Sequence, residues 1–202
     1  MSYFIESYFH AVSSSLDSVN AERVHRLAGA IVGVWKQRGT IYIMGNGGSA
    51  STASHFACDL SKLTIAGGRP RVKAVSLTDN AAILTAWAND SHYEDIFIHQ
   101  LIPFLEPRDM VIAISASGNS GNVVKALGYA AEAGAATASL SGFQGGAVSR
   151  MTDYPIITFS DSMQVIEDSH SLLCHGMALE VCQLMERVEE DRRLAVGKGG
   201  IA

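Results

Sequence analysis

A chain of 202 residues, 48% hydrophobic and 17% charged, is long enough for one sizeable core, and no Pro/Gly/Ser-rich linker divides it. A net charge of −5 and a pI near 5.8 exclude a broad electrostatic footprint for nucleic acid or anionic lipid, so any bound phosphate has to be held locally. Cys58, Cys174 and Cys182 lack CxxC spacing, the N-terminus lacks a basic region followed by an apolar run, and no apolar stretch reaches membrane-span length; the expectation is a reduced, cytoplasmic protein without disulfides.

From Ser2 to Gln37 apolar residues recur at helical spacing, with Asn20 placed to start a second helix. After Gly39 the pattern changes to short β-rich runs closed by turn residues: 41–44, 72–77, 110–115, 136–140 and 155–159. Helical segments are predicted between them over 49–63, over 81–105 with a break near Asn89 and Asp90, over 119–133 and over 144–151, and a last long helix over 163–192. Continuous apolar strands alternating with helices predict an α/β fold, a doubly wound five-stranded parallel sheet flanked by helices. The chain is read as a single domain: leading helices over 1–38, an α/β core over 39–160, a C-terminal helix over 161–192 and a flexible tail over 193–202.

Two segments carry chemistry. Gly45-Asn46-Gly47-Gly48-Ser49 follows the first strand and opens a helix, where exposed N–H groups and the Ser49 hydroxyl can meet an anion at the positive end of the helix dipole. No Lys follows, so the segment is neither GxGxxG nor a P-loop, and no nucleotide cofactor is expected; a plain tight turn with a serine cap has the same local signature. Ser115, Ser117 and Ser120 form a second hydroxyl-rich turn at the end of the third strand. Two such turns on one sheet can converge on a phosphate as a neutral cradle. His55 and Asp59 share one helix face at i, i+4, and Glu167, Ser171 and His175 form a stripe at i, i+4, i+8 on the last helix.

The pair GNGGS and ISASGNS, with HFACDL and EDSHSLLCH, resembles the SIS (sugar isomerase) domain, and within it the phosphoheptose isomerases, from about Ile41 to Glu186. The resemblance implies a flavodoxin-like topology, a homotetramer with sites shared between subunits, and a phosphorylated sugar, sedoheptulose 7-phosphate, as the small-molecule partner. It also implies phosphate and substrate contacts at Asn46, Gly47, Gly48, Ser49, Asp79, Ser115, Ser117 and Ser120. By the same resemblance an acid/base pair falls on Asp59 and His175 with Glu167 as the rival carboxylate, and one divalent metal, zinc first, falls on His55, Asp59, Glu167 and His175. A carboxylate with a histidine suits proton transfer α to a carbonyl near neutral pH, and two histidines with two carboxylates suit a divalent transition metal.

The chain departs from the family pattern in several places. Asp59 replaces a glutamate, Glu167 a glutamine, Ala116 a threonine and Gln164 an aspartate, and Leu63 stands where a basic residue is usual. Asp59 and Glu167 together keep a hexose or hexulose phosphate open as substrate. Two other readings stand beside the enzyme: a non-catalytic SIS scaffold similar to the protein that associates with the replication initiator DnaA, and a sugar-phosphate sensor. His10, His25, His92, His99 and His170 are read as structural, and Asn89-Asp90 and Glu94-Asp95 as a loop and a capped helix start.

Overall fold

The structure is a computed structural model that describes residues 4–65 and 69–198. In chain order the elements are α1 (Phe4–Asp17), α2 (Ala21–Lys36), β1 (Thr40–Gly45), α3 (Gly48–Leu63), β2 (Lys73–Ser76), α4 (Ala81–Asp90), a 3₁₀ turn (Tyr93–Asp95), α5 (Ile98–Leu101), β3 (Met110–Ser115), α6 (Gly121–Glu132), β4 (Ala136–Gly142), α7 (Val148–Met151), β5 (Tyr154–Thr158) and α8 (Met163–Lys198). Asn20 caps α2, its side chain accepting from the Arg23 N–H at 3.3 Å. The five strands pair in parallel in the order β2-β1-β3-β4-β5, the doubly wound, flavodoxin-like arrangement expected.

Because the central strands β1, β3 and β4 are buried on both sides, their apolar side chains divide between two clusters. Ile41, Ile43, Met110, Ile112, Ile114 and Leu140 pack with Leu27, Ile31, Phe56, Leu60, Met177 and Val181 of α2, α3 and α8. On the other face Met44, Val111 and Ala113 meet Phe97, Leu101, Val123, Leu127 and Val148. Strand order reverses between β1 and β3, so the glycine turn after β1 and the serine turn after β3 leave the sheet side by side at the carboxyl ends, where such sheets place a ligand.

Several elements differ from the sequence reading. The break predicted near Asn89 and Asp90 is present, with α4 stopping at Asp90 and Ser91 turning the chain, its hydroxyl bonded to the Asp95 carboxylate, but the rest of the segment to 105 holds only the 3₁₀ turn and the one-turn α5. The helix predicted over 144–151 shrinks to Val148–Met151, because Gly145 and Gly146 adopt φ of +88° and +61°. The helix expected from Asn119 begins at Gly121, since Asn119 turns back to donate to the Ser117 carbonyl at 3.0 Å and to accept from the Ala147 N–H at 2.9 Å. The last helix runs to Lys198, six residues past the predicted end at Arg192. Ser2 and the end of the expected tail, 199–202, lie outside the described residues. No helix among the described residues is long and apolar enough to cross a membrane.

His170 lies on α8 with 1% of its surface exposed, and neither ring nitrogen finds a well-formed hydrogen bond among the described residues. Burial lowers its pKa from 6.5 to about 4, and the neighbouring Ser141 main chain, which favours the proton, offsets only part of this. The folded pKa is depressed, so the unfolded chain takes up a proton first as the pH falls. Full stability therefore holds above pH 6.5 and is lost towards pH 4, by about 3 kcal/mol from this group. Denaturant midpoints measured across that window are expected to fall less steeply in His170→Met than in the natural chain; equal slopes would sink the assignment.

Candidate active site

The helix α3 starts directly from the glycine turn and carries His55 and Asp59 on one face; α8 packs along it and brings His175 to the same place. His175 Nδ1 lies 2.9 Å from Asp59 Oδ2, and His55 Nε2 lies 3.7 Å from Asp59 Oδ1. The two imidazoles meet edge to face with centroids 4.7 Å apart. One ligand atom from each of His55, Asp59 and His175 falls within 4.8 Å of the others, a donor set of two nitrogens and a carboxylate oxygen that fits a divalent transition metal. Asp59 is half-buried while both histidines are exposed, so the cluster opens outward.

The four-ligand set implied by the resemblance is not gathered whole. Glu167 is not in that group; its carboxylate stands over the first residue of α3, where a Cβ on Gly48 would lie 2.5 Å from Glu167 Oε2. Only glycine leaves room for it. The physical reason is the positive end of α3, which attracts a carboxylate. Cys174, buried behind the cluster, has its thiol pushed up by burial and by the Asp59 charge, which keeps it protonated and a poor ligand.

The serine turn is closely built. Ser115 is buried, and its Oγ accepts from the Gly118 N–H at 3.2 Å and lies 3.5 Å from Ser120 Oγ. Ser117 is exposed, its Oγ accepting from the Asn119 N–H at 3.2 Å. Gly118 has φ +65° and sits against the Gly145 carbonyl, so the turn admits no side chain there. Ser49 is buried in the first turn of α3, while Gly47 and Gly48 are exposed. Asp79 lies on the flank of α3, where its carboxylate accepts from Ser54 in a hydroxyl chain with Ser76 and Thr78.

Residues 7–142 match the SIS domain family. The chain is 37% identical over 180 residues to the phosphoheptose isomerase of Helicobacter pylori (strain P12), spanning 88% of this chain and 89% of that protein. It belongs to the phosphoheptose isomerases of the SIS domain family. Among solved structures, the phosphoheptose isomerase of Neisseria gonorrhoeae superposes with a TM-score of 0.78 at 28% identity, covering 88% of this chain and 94% of that one. That of Francisella tularensis gives 0.78 at 27% identity, covering 89% and 95%. The resemblance stated from the loop motifs is thereby borne out.

Three residues at this candidate site were not among the site residues read from the sequence. Asn122 and Asn46 exchange reciprocal amide hydrogen bonds of 2.9 Å, Tyr93 donates to Asn46 Oδ1 at 3.0 Å, and Glu94 stands over Gly121, where a Cβ would lie 2.8 Å from its Oε1. Asn122 sits one residue past the ISASGNSG run, and that adjacency was the one available signal.

Proposed function

We infer that this chain is an aldose–ketose isomerase that converts sedoheptulose 7-phosphate to D-glycero-D-manno-heptose 7-phosphate through an enediol. The observation that carries the reading is the 2.9 Å pairing of His175 with Asp59 on the helix that starts from the glycine turn, in a chain of this family. The sugar phosphate is held by the hydroxyls of Ser49, Ser115, Ser117 and Ser120, with Asn46, Gly47, Gly48 and Asp79 beside the sugar.

Asp59 removes a proton from C1 of the ketose and returns it to C2. His175 protonates the oxygen on C2 and, in its neutral form, takes the proton from the oxygen on C1. These are the two transfers an enediol mechanism requires, and each group can act near neutral pH. A divalent metal, zinc in our reading, would be held by His55, Asp59 and His175, with Glu167 as the fourth ligand that the resemblance implies; when bound it would polarise the carbonyl and favour the developing negative oxygen. The neutral serine cradle lets an acidic protein hold a phosphate without a lysine.

The chain works in the cytoplasm as a homotetramer with shared sites. In support, Phe4 and Phe9 of α1 and Leu172 and Leu179 of α8 are exposed, a large apolar surface for an isolated chain. The test is to incubate chelator-treated and zinc-supplemented protein with sedoheptulose 7-phosphate and follow aldose formation. Turnover is expected, higher with zinc. A folded protein that binds the sugar phosphate without converting it would overturn the reading in favour of a sensor or scaffold.

A further inference from the structure

The orientation of one amide in this site follows from the main-chain donor that it faces. The Val123 main-chain N–H is shared between the Ser120 carbonyl and Asn122 Oδ1, each at 3.0 Å, and a main-chain N–H only donates, so the side-chain atom that faces it is the amide oxygen. Asn122 Nδ2 therefore faces Asn46 Oδ1 at 2.9 Å, and Asn46 Nδ2 gives one hydrogen to Asn122 Oδ1 at 2.9 Å. Tyr93 Oη donates to the same Asn46 Oδ1 at 3.0 Å. Both acceptor positions of the Asn46 oxygen are then taken, and so is one of its two N–H groups. What remains to offer is a single N–H.

That remaining group lies in the glycine turn. Asn46 directly follows the last residue of β1 and is half-buried, whereas Asn122 is 2% exposed at the start of α6. The amide pair thus ties the glycine turn to the helix that follows the serine turn, across 76 residues of sequence. Tyr93 is held in turn by its neighbours: Asp95 is paired with Lys125 Nζ at 2.5 Å, and Glu94 is seated over Gly121. The Tyr93–Asp95 turn grips α6 with two residues and the glycine turn with the third.

We propose that Tyr93 and Asn122 are positioning residues of the substrate site, which lock the Asn46 amide so that it presents a donor, and never its carbonyl, to an oxygen of the bound sugar phosphate. Freed of them, the amide samples both orientations, and binding the ligand has to fix the donor-facing one at a cost in affinity. The inference rests on the sugar-phosphate reading above. It adds that substrate affinity depends on an amide orientation set outside the substrate contacts themselves.

The test uses the full chain, with Tyr93→Phe, Asn122→Ala and the double variant, in steady-state turnover of sedoheptulose 7-phosphate and in calorimetric binding of the same compound. Each single variant is expected to raise KM and Kd by about 3- to 10-fold, the worth of one hydrogen bond, while kcat and its pH profile stay within about twofold. The double variant is expected to match Asn122→Ala, because the Tyr93 bond has no purpose once the amide is free. Tyr93→Phe is exposed and deletes one oxygen, so it tests the idea even where Asn122→Ala folds poorly. Unchanged Kd in Tyr93→Phe overturns the proposal, as does a fall in kcat with KM intact. A natural chain that binds the sugar phosphate without turnover refutes the isomerase reading alone, and the Kd ratios still decide this one; a natural chain that does not bind it overturns both.

Discussion

His175→Ala is expected to lower kcat/KM for sedoheptulose 7-phosphate by about 10³-fold, within the range that a positioned acid/base contributes. With Nδ1 held 2.9 Å from Asp59 Oδ2, the ring presents Nε2 outward. A neutral ring that donates from Nδ1 to the carboxylate has an acceptor at Nε2, and a protonated ring has a donor there, so the same nitrogen serves both oxygens of the enediol in turn. Alanine removes that relay and leaves Asp59 beside His55 alone. The loss should fall on kcat and not on KM, because the phosphate is held elsewhere. Since His175 is exposed, the unfolding midpoint should move by no more than a few degrees, on the order of a surface substitution. A variant that keeps more than about a tenth of the activity would remove His175 from the acid/base role.

How much of this was legible in the sequence follows from how local each feature is. Strands such as Ile41–Met44 and Met110–Ile114 are apolar at every position because both faces of a parallel sheet are covered, and that leaves a mark in the sequence that no loop imitates. The pairing of His55 with Asp59 is a one-turn spacing and could be read directly. The pairing of His175 with Asp59 came only through the family resemblance, since it spans 116 residues. The segment at 144–151 reads too long in the sequence because two left-handed glycines cut it back, whereas the break in the one at 81–105 was legible at Asn89 and Asp90 and falls there, at the Ser91 turn. Tyr93 carries no local signal, and Asn122 only its place directly after the ISASGNSG run, because their partner Asn46 sits on a different turn, brought near by the order of β1 and β3. Glu167 was placed among the metal ligands by analogy with a glutamine. A carboxylate at that position is drawn towards the positive end of α3, and the open space at Gly48 receives it.

The two carboxylates can be separated by a pair of isosteric changes. Asp59→Asn is expected to reduce kcat about 10²- to 10⁴-fold, whereas Glu167→Gln is expected to cost about tenfold or less. Asn cannot accept a proton from carbon, and it also disrupts the contact that orients His175, so both halves of the acid/base pair are lost together. Gln at 167 keeps the shape and the hydrogen-bonding reach of the side chain over Gly48 and removes only its charge. Zinc affinity provides a second, independent axis. Asp59 lies within 4.8 Å of two histidine ligand atoms, so Asp59→Asn should weaken zinc binding at least about tenfold, and Glu167→Gln should change it far less. Asp59 is one methylene shorter than the family glutamate, and the shorter reach asks the substrate to come closer to α3, a constraint that a misplacement of about an ångström makes costly. If Glu167→Gln proves the more damaging change in kcat while zinc binding still follows Asp59, the base is Glu167, acting from above the glycine turn, and Asp59 serves to hold His175 in its working orientation.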